Sequence, residues 1–323
     1  MKKAEWGRRQ LKSHESTHSE TLAIEVTKLT KTFENKNAVS NLTFKVKSGG
    51  FFGLLGPNGA GKTSSINMMS SMLRPSSGEV KLFGMNVNSK PLEIRKIIGL
   101  VFQDSSLDRQ LSVWENLRFA GMLHNLPMCQ ITDNAEKLLN LFNLNDKKNK
   151  PVRTLSGGQR RALDVARGVI HSPKILFLDE PTIGLDLPTR LRLWEFIHEL
   201  RVLSGMTVLL TTHYLEEASG CTAVAFLKEG KLVLEGAPNE LTSSLCSNVL
   251  EIESPKMNKI FGELTAQFGI GKQKFRTAYI NLKKHEGFNL SSKLDQIKEK
   301  FGSDLTKVIV RPPNLNDVFL WIN

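Results

Sequence analysis

The sequence predicts an α/β domain with a parallel sheet covered by helices, followed by a smaller α+β unit. Three observations support this prediction. An apolar run at residues 51–55 leads through a glycine-rich segment into a helical pattern. Strand-like and helix-like patterns alternate between residues 175 and 235, which is typical of a parallel sheet with crossover helices. Residues 241–323 instead follow the order βαββαβα, which suggests a ferredoxin-like sandwich.

The glycine-rich segment matches the phosphate-loop pattern G-x-x-x-x-G-K-[ST] in its required setting between a strand and a helix. Its residues are Gly56, Pro57, Asn58, Gly59, Ala60, Gly61, Lys62 and Thr63. Glycines let successive backbone N–H groups converge on a phosphate at the helix N-terminus. Lys62 adds a charge for the β- and γ-phosphates, and the Thr63 hydroxyl suits Mg²⁺. The alternatives are a glycine-rich turn with a surface lysine, or the phosphate loop of a kinase or GTPase.

Two adjacent carboxylates, Asp179 and Glu180, end the apolar run at residues 174–178. Because side chains alternate along a strand, the two carboxylates divide their work. We assign Asp179 to the Mg²⁺ shell and Glu180 to the polarisation of the attacking water. Taken alone, the same pattern also fits a strand that ends in solvent. Together with the phosphate loop, it predicts a hydrolytic site for a nucleoside triphosphate.

A second glycine-rich segment, Ser156-Gly157-Gly158-Gln159, precedes a helical pattern that ends before Pro173. Ser156 suits the N-cap of that helix, and a helix N-terminus with two glycines and a hydroxyl also suits an anion. The segment Leu155-Ser-Gly-Gly-Gln lies shortly before the strand that ends in Asp-Glu, with a phosphate loop upstream. In this combination the chain resembles an ABC ATPase subunit.

The resemblance implies ATP and Mg²⁺ as ligands and a P-loop NTPase fold with an inserted helical subdomain. It also implies a second ATPase subunit, expected as a head-to-tail homodimer, because residues 156–159 would face the γ-phosphate bound by the neighbour. Four further residues acquire expected roles by their positions. They are Asp186 in the D-loop, Gln103 as the Q-loop ligand of Mg²⁺ and water, His213 as the switch histidine, and Phe33 as the ring that stacks on adenine. Each of these residues is unremarkable when taken alone.

Three segments narrow the resemblance to the ATPase subunits of drug-resistance-type bacterial exporters, the group related to daunorubicin and nodulation-factor exporters. These segments are residues 101–117, 212–218 and 314–320. The resemblance implies export through an integral-membrane permease in a separate chain, and a peripheral location on the cytoplasmic face of the cell membrane. It does not identify the exported substrate.

Composition agrees with this interpretation. The 323 residues carry a net charge of +12, 40% are hydrophobic, and no apolar run approaches the roughly 18–20 residues that cross a bilayer. The three cysteines are too scattered for a disulfide framework or a zinc site. A positive net charge suits a protein that binds nucleic acid or an anionic membrane surface. We nevertheless expect no nucleic-acid partner. The alternatives are a soluble ABC ATPase that acts on nucleic acid, and one that assists cofactor assembly.

The predicted domain boundaries follow these patterns. Residues 1–21 form a disordered lead-in without a signal peptide, since they are polar and mixed in charge. Residues 22–238 form the ABC ATPase domain, with the helical subdomain at about 104–170. Residues 241–323 form an accessory domain without a catalytic constellation, for which dimer stabilisation, docking or regulation are the expected roles.

Overall fold

The computed structural model describes residues 21–34, 36–268, 271–282 and 290–322. The expected disordered lead-in at residues 1–21 lies outside the described residues, apart from Thr21. The chain divides into two compact units. The first unit runs to Tyr214 and includes Gly220–Glu235, and the second contains Leu215–Ser219 and the chain from Gly236 onward.

The strands, in chain order, are β1 (Leu22–Phe33), β2 (Lys36–Lys47), β3 (Phe51–Leu55), β4 (Ser77–Leu82), β5 (Met85–Asn86), β6 (Ile98–Val101), β7 (Ile175–Asp179), β8 (Thr207–Thr212), β9 (Ala223–Lys228), β10 (Lys231–Gly236), β11 (Asn248–Glu253), β12 (Gly271–Lys274), β13 (Thr277–Leu282) and β14 (Lys307–Arg311). The helices are α1 (Lys62–Met69), α2 (Pro91–Ile97), α3 (Val113–Leu123), α4 (Met128–Leu141), α5 (Gly157–Val169), α6 (Leu187–Ser204), α7 (Pro238–Leu245), α8 (Met257–Phe268), α9 (Leu290–Phe301) and α10 (Leu315–Ile322).

The first unit is built on a six-stranded sheet in the order β10-β9-β3-β8-β7-β6. Strands β9, β3, β8, β7 and β6 pair in parallel, as the alternating pattern predicts. Every residue of β3, β7 and β8 is buried, which explains their continuous apolar sequence. Their carboxyl ends lie at one edge of the sheet, where the candidate site forms.

A second sheet, in the order β2-β1-β4-β5, is antiparallel and was not foreseen in the sequence. Strand β2 shows alternating burial, as expected for a strand with one face in the core and the other in solvent. The stacked rings of Phe44 and Phe52 join this sheet to the parallel sheet, with centroids 5.0 Å apart. The two sheets therefore share one hydrophobic core.

The inserted helices are α3, α4 and α5, as the helical spacing predicts. Two helices begin with a reciprocal capping box, α3 at Ser112 with Glu115 and α5 at Ser156 with Gln159. Two elements are shorter than their sequence patterns predict. The helical pattern after the glycine-rich segment extends to Leu73, but α1 ends at Met69, and Ser71 has a left-handed φ of 65°. The apolar run before Gln103 predicts a strand that ends at this residue, but β6 ends at Val101, so that Gln103 lies in the following loop.

The second unit contains a four-stranded antiparallel sheet in the order β12-β13-β11-β14. Numbered within the unit this order is 2-3-1-4, that of the ferredoxin-like sandwich expected from the sequence. Helices α8 and α9 contribute Met257, Leu264 and Ile297 to a core on one face of the sheet. Helix α7 was not anticipated, and it begins at Pro238, a residue favoured in the first helical turn.

Among the described residues, none of the helices combines the length and apolar character that crossing a membrane requires.

Candidate active site

The candidate site lies where three parallel strands end. In the sheet register Leu55 pairs with Thr212, and Asp179 pairs with Thr211. The loop after β3, the carboxylates at the end of β7 and the histidine after β8 therefore meet at one edge. Ligand sites in open α/β sheets form at this edge.

The glycine loop adopts a conformation that only glycine tolerates at two positions. Gly56 has a φ of 152°, and a Cβ there would lie 2.3 Å from the carbonyl oxygen of Leu227. Gly61, with a φ of 97°, would place a Cβ 2.4 Å from the carbonyl oxygen of Ala38. Because Gly61 is also the N-cap of α1, the unpaired N–H groups of that helix open toward the loop.

Lys62, Glu180 and His213 form a continuous chain of polar contacts. The Nζ of Lys62 lies 3.2 Å from Oε1 of Glu180, and Nδ1 of His213 lies 3.0 Å from Oε2 of the same carboxylate. Lys62 also donates to the carbonyl oxygens of Gly56, at 2.9 Å, and Pro57, at 3.2 Å. Lys62 and Glu180 are both buried, so this cation and carboxylate interact with little screening by water.

Asp179 lies beside two hydroxyl groups. Its Oδ1 accepts hydrogen bonds from Oγ1 of Thr63, at 3.2 Å, and from Oγ1 of Thr211, at 2.5 Å. A buried carboxylate next to the Thr63 hydroxyl is the hard oxygen donor set that Mg²⁺ prefers, so the residues present fit this ion. Thr211 is a further site residue that was not among those predicted from the sequence. Thr211 lies opposite Asp179 in the sheet, and this pairing can be recognised only when the register of the two strands is known.

Glu180 has a left-handed backbone conformation, with a φ of 45°. Its N–H donates to both the carbonyl oxygen and the hydroxyl of Thr211, at 3.2 and 3.1 Å. Such a conformation costs free energy in a residue with a side chain and persists only where the surroundings enforce it. Here it turns the Glu180 carboxylate toward Lys62 and His213 rather than along the strand.

A cavity of about 1100 Å³ opens above this edge. It brings together eight of the predicted site residues: Phe33, Asn58, Gly59, Gly61, Lys62, Thr63, Gln103 and Glu180. The Phe33 ring is 47% exposed, and Nζ of Lys31 lies 5.0 Å from its centroid. Asp179 and Ala60 are buried beneath the cavity, and His213 reaches the site through Glu180.

The second glycine segment lies elsewhere within the chain. Ser156, Gly158 and Gln159 line a separate depression together with Thr189 and Phe142. Ser156 caps α5 by accepting a hydrogen bond from the Gln159 N–H, at 3.2 Å. Asp186 is the N-cap residue of α6 and makes no side-chain capping bond. The structure of one chain thus does not bring Ser156 and Asp186 to the cavity that Lys62 lines.

Arg161 also lies near the site, although no sequence motif considered above includes it. It is buried, and its guanidinium group donates to the main-chain oxygens of Asp179, Glu180 and Pro181. Burial lowers the pKa of this guanidinium, while the charges of Asp164, Asp179 and Asp104 act in the opposite direction. The sequence does contain one sign that Arg161 is buried. Arg161 lies four residues before the apolar Val165, so the two side chains share one face of the helix, and Val165 is buried.

Comparison with known proteins agrees with this geometry. A protein-family model described as "ABC transporter" matches residues 39–183. The chain is 41% identical to the daunorubicin/doxorubicin resistance ATP-binding protein DrrA of Streptomyces peucetius, over 72% of this chain and 70% of that protein. It is 34% identical to the Nod factor export ATP-binding protein I of Cupriavidus metallidurans, over 93% of this chain and 97% of that protein.

Solved structures show the same fold. The cbiO1 protein from Clostridium perfringens, part of an ABC transporter complex, superposes with a TM-score of 0.65 at 28% identity, over 69% of this chain and 92% of that one. A dimeric ATP-binding cassette in a post-hydrolysis state, bound to ADP and Pi, superposes with a TM-score of 0.61 at 26% identity, over 66% of this chain and 98% of that one.

The chain therefore belongs to the ATP-binding subunits of ABC transporters, and its first unit is an ABC ATPase domain.

Proposed function

We propose that the chain hydrolyses ATP to drive export through a separate integral-membrane subunit. The observation that carries the hydrolytic part is the contact chain from Lys62 through Glu180 to His213, of which Lys62 and Glu180 line the cavity. It joins a cation for phosphate, a carboxylate for water and a hydrogen-bonding imidazole within one site. The export part is supported by relatives whose names describe drug resistance and Nod factor export.

Each site residue has a defined role in this proposal. The loop of residues 56–63 binds the phosphates through its N–H groups and Lys62, while Phe33 stacks on the adenine ring. Thr63, Gln103 and Asp179 would hold Mg²⁺, which would supply positive charge to neutralise the phosphates. Glu180 accepts the proton of the attacking water. His213 orients that carboxylate through Nδ1 and hydrogen-bonds the γ-phosphate.

Dimerisation completes the site in this proposal. Residues 156–159 form a capped helix N-terminus that lies outside the cavity of their own chain. We assign this N-terminus and Asp186 to the nucleotide of a second copy, so that two ATP molecules are enclosed head to tail. The dimeric cassette bound to ADP and Pi supports dimerisation as such.

The membrane partner is assigned to the inserted helices. Four large apolar side chains lie exposed at the adjoining ends of α3 and α4: Phe119, Met122, Leu123 and Met128. Clusters of exposed apolar side chains mark interaction sites. We propose that this surface receives the permease and that movement of the Gln103 loop is transmitted through it. The exporter relatives favour this partner over a nucleic acid or a cofactor-assembly complex.

Steady-state ATPase measurements test the hydrolytic part. Glu180→Gln retains the shape of the side chain but removes its basicity, so we expect turnover to fall by about 10²–10⁴-fold while MgATP binding is retained. Glu195→Gln, an exposed position on α6, is the matched control and should leave turnover unchanged. Full turnover in Glu180→Gln would contradict the assignment of the base.

Cysteine crosslinking tests the head-to-tail dimer. Cys129 is the exposed native cysteine, whereas Cys221 and Cys246 are buried, so Cys129→Ser comes first. In a Glu180→Gln background, Asn58→Cys with Ser156→Cys should give an intermolecular disulfide only when MgATP is present. A disulfide that forms equally without nucleotide, or none at all, would reject this dimer.

Co-purification tests the transport part. The chain and its candidate permease are expressed together, the membranes are solubilised in detergent, and the permease is captured by an affinity tag. We expect the ATPase chain to elute with it, and Phe119→Ser with Met122→Ser to abolish the association. A chain that stays wholly in the soluble fraction beside its permease would contradict transport and leave the ATPase assignment standing.

A further inference from the structure

Arg161 lies in α5, five residues after Ser156, and only 7% of its surface is exposed. Its side chain reaches from the inserted helices toward the loops at the carboxyl edge of the parallel sheet. Two separate segments meet its guanidinium group there. One is the loop that carries Gln103, and the other is the turn that follows Asp179.

All the acceptors described for this guanidinium are main-chain oxygens. Nε donates to Pro181 at 2.5 Å, Nη1 donates to Phe102 at 2.6 Å and Gln103 at 3.4 Å, and Nη2 donates to Asp179 at 3.4 Å and Glu180 at 3.3 Å. A planar fork with five N–H donors in a rigid arrangement can hold two segments at a fixed separation and a fixed orientation. Arg161 therefore fixes the Gln103 loop relative to the Glu180 turn.

The Glu180 turn has a specific need for such support. Glu180 has a strained left-handed φ of 45°, and Arg161 binds its carbonyl oxygen together with those of both neighbours, Asp179 and Pro181. Strained conformations are maintained by the contacts that surround them. Without Arg161, these buried carbonyl groups lose a charged hydrogen-bond donor. The turn is then held by fewer contacts, and the position of the Glu180 carboxylate beside Lys62 and His213 is less well fixed.

We propose that Arg161 is a positioning residue that sets the Glu180 carboxylate and the Gln103 loop in their hydrolytic arrangement and links both to the helix that begins at Ser156. This inference rests on the proposed function, in which Glu180 is the base. Arg161 lies five positions after Ser156 along the helix, a rise of about 7.5 Å. Because a helix moves as a rigid element, a displacement of the Ser156 end reaches Glu180 through one side chain.

The test compares three variants by steady-state ATPase kinetics and thermal unfolding. Arg161→Met removes the fork but keeps most of the apolar stem, and Arg161→Lys keeps the charge but has three donors in place of the planar fork of five. Arg160→Met is the matched control, because Arg160 donates to Leu155 rather than to either segment. We expect kcat to fall by about 10-fold or more in Arg161→Met and less in Arg161→Lys, since a misplaced group costs rate. KM for ATP should stay within about 2-fold in both variants, because Arg161 does not line the nucleotide cavity.

A double-mutant cycle separates positioning from simple loss of structure. In a Glu180→Gln background Arg161→Lys should lower the residual single-turnover rate by a smaller factor than in the unmodified chain, because one of the two groups that Arg161 positions is already disabled. An equal loss in both backgrounds, or a kcat of Arg161→Lys that equals that of the unmodified chain, would overturn the inference. If Glu180→Gln itself hydrolyses ATP at full rate, the proposed base is wrong, whatever the Arg161 variants show.

Discussion

The ammonium group of Lys62 binds the carboxylate of Glu180 at 3.2 Å, and both side chains are buried. The other two contacts of Nζ are the carbonyl oxygens of Gly56 and Pro57, so all three ammonium donors have partners within the chain. A phosphate that binds to Lys62 must compete with Glu180 for one of these donors. We infer that nucleotide binding loosens the Lys62–Glu180 pair and turns the carboxylate toward water.

Removal of Lys62 should have two measurable consequences. Lys62→Met deletes the phosphate-binding charge, and we expect ATP affinity in calorimetry to fall by at least about 10-fold, as for the loss of a buried charged contact. The variant also leaves Glu180 without its cation, so its melting temperature should fall. Lys62→Met combined with Glu180→Gln should recover part of that stability without recovering affinity. An unchanged melting temperature in Lys62→Met would show that the pair is energetically unimportant.

The proposed stacking of adenine on Phe33 gives a second prediction. Lys31 donates to the carbonyl oxygen of Arg74 at 2.9 Å and lies 5.0 Å from the Phe33 centroid, so one face of the ring is covered. Phe33 is nevertheless 47% exposed, which leaves ring surface on which a base can stack. Phe33→Ala should raise KM for ATP about fivefold or more, because stacking of a base on an aromatic ring contributes about 1–3 kcal/mol.

Phe33→Tyr retains the ring and should leave KM nearly unchanged, which makes it the control for Phe33→Ala. Lys31→Met should have an effect between the two, since the ring remains but loses its cation. Equal KM values for Phe33→Ala and the unmodified chain would remove Phe33 from the binding site.

Chemistry carried by contiguous residues could be predicted from the sequence, whereas chemistry assembled across the fold could not. The residue types and spacing of the loop at residues 56–63, and of the adjacent pair Asp179 and Glu180, indicate their chemistry within a short segment. The structure brings both segments to one edge of the cavity. Thr211 and Arg161 reach the same edge through strand register and helix packing. Neither relation exists within a short stretch of sequence.

The antiparallel sheet shows the same limit. Strand β1 pairs with β4 across about fifty residues of intervening chain, and its register contains shifts that blur the alternation of apolar residues. The ferredoxin-like order of the second unit was easier to anticipate, because its strands and helices are short, regular and bounded by glycine, proline and polar residues.

The packing of Gly158 gives a third prediction. A Cβ at this position would lie 2.2 Å from Cγ2 of Thr189, in the first turn of α6. Gly158→Ala should therefore lower the melting temperature by forcing α5 and α6 apart. Thr189→Ser deletes that methyl group, so the double variant should recover most of the loss.

Gly157→Ala is the matched control for Gly158→Ala, because a Cβ at Gly157 meets no atom within 4 Å. It should leave stability nearly unchanged. Comparison of ATPase rates then separates two effects. If Gly158→Ala with Thr189→Ser regains stability but not turnover, Gly158 also serves the nucleotide of the second copy. Failure of Thr189→Ser to restore stability would reject the steric explanation.

The paired imidazoles of His124 and His171 give a pH-dependent prediction. Their rings stack with centroids 3.6 Å apart, and Nε2 of His171 lies 2.9 Å from the carbonyl oxygen of Ile98. Burial, followed by the nearby His124, lowers the pKa of His171 from 6.5 to about 4. Burial also lowers the pKa of His124.

The sign of the effect follows from linkage. Between about pH 6.5 and pH 4, His171 is protonated in the unfolded chain but not in the folded chain. The free energy of unfolding therefore falls as the pH falls through this window. His171→Gln keeps an amide donor for Ile98 but cannot be protonated. We expect it to be less stable than the unmodified chain at pH 8, through loss of stacking, and to lose less stability on acidification to pH 5. The measurement is chemical unfolding at both pH values. The variant and the unmodified chain have the same carboxylates, so the contribution of these groups to acid sensitivity cancels in the comparison. Equal losses of stability between pH 8 and pH 5 would therefore exclude His171 as a source of acid sensitivity.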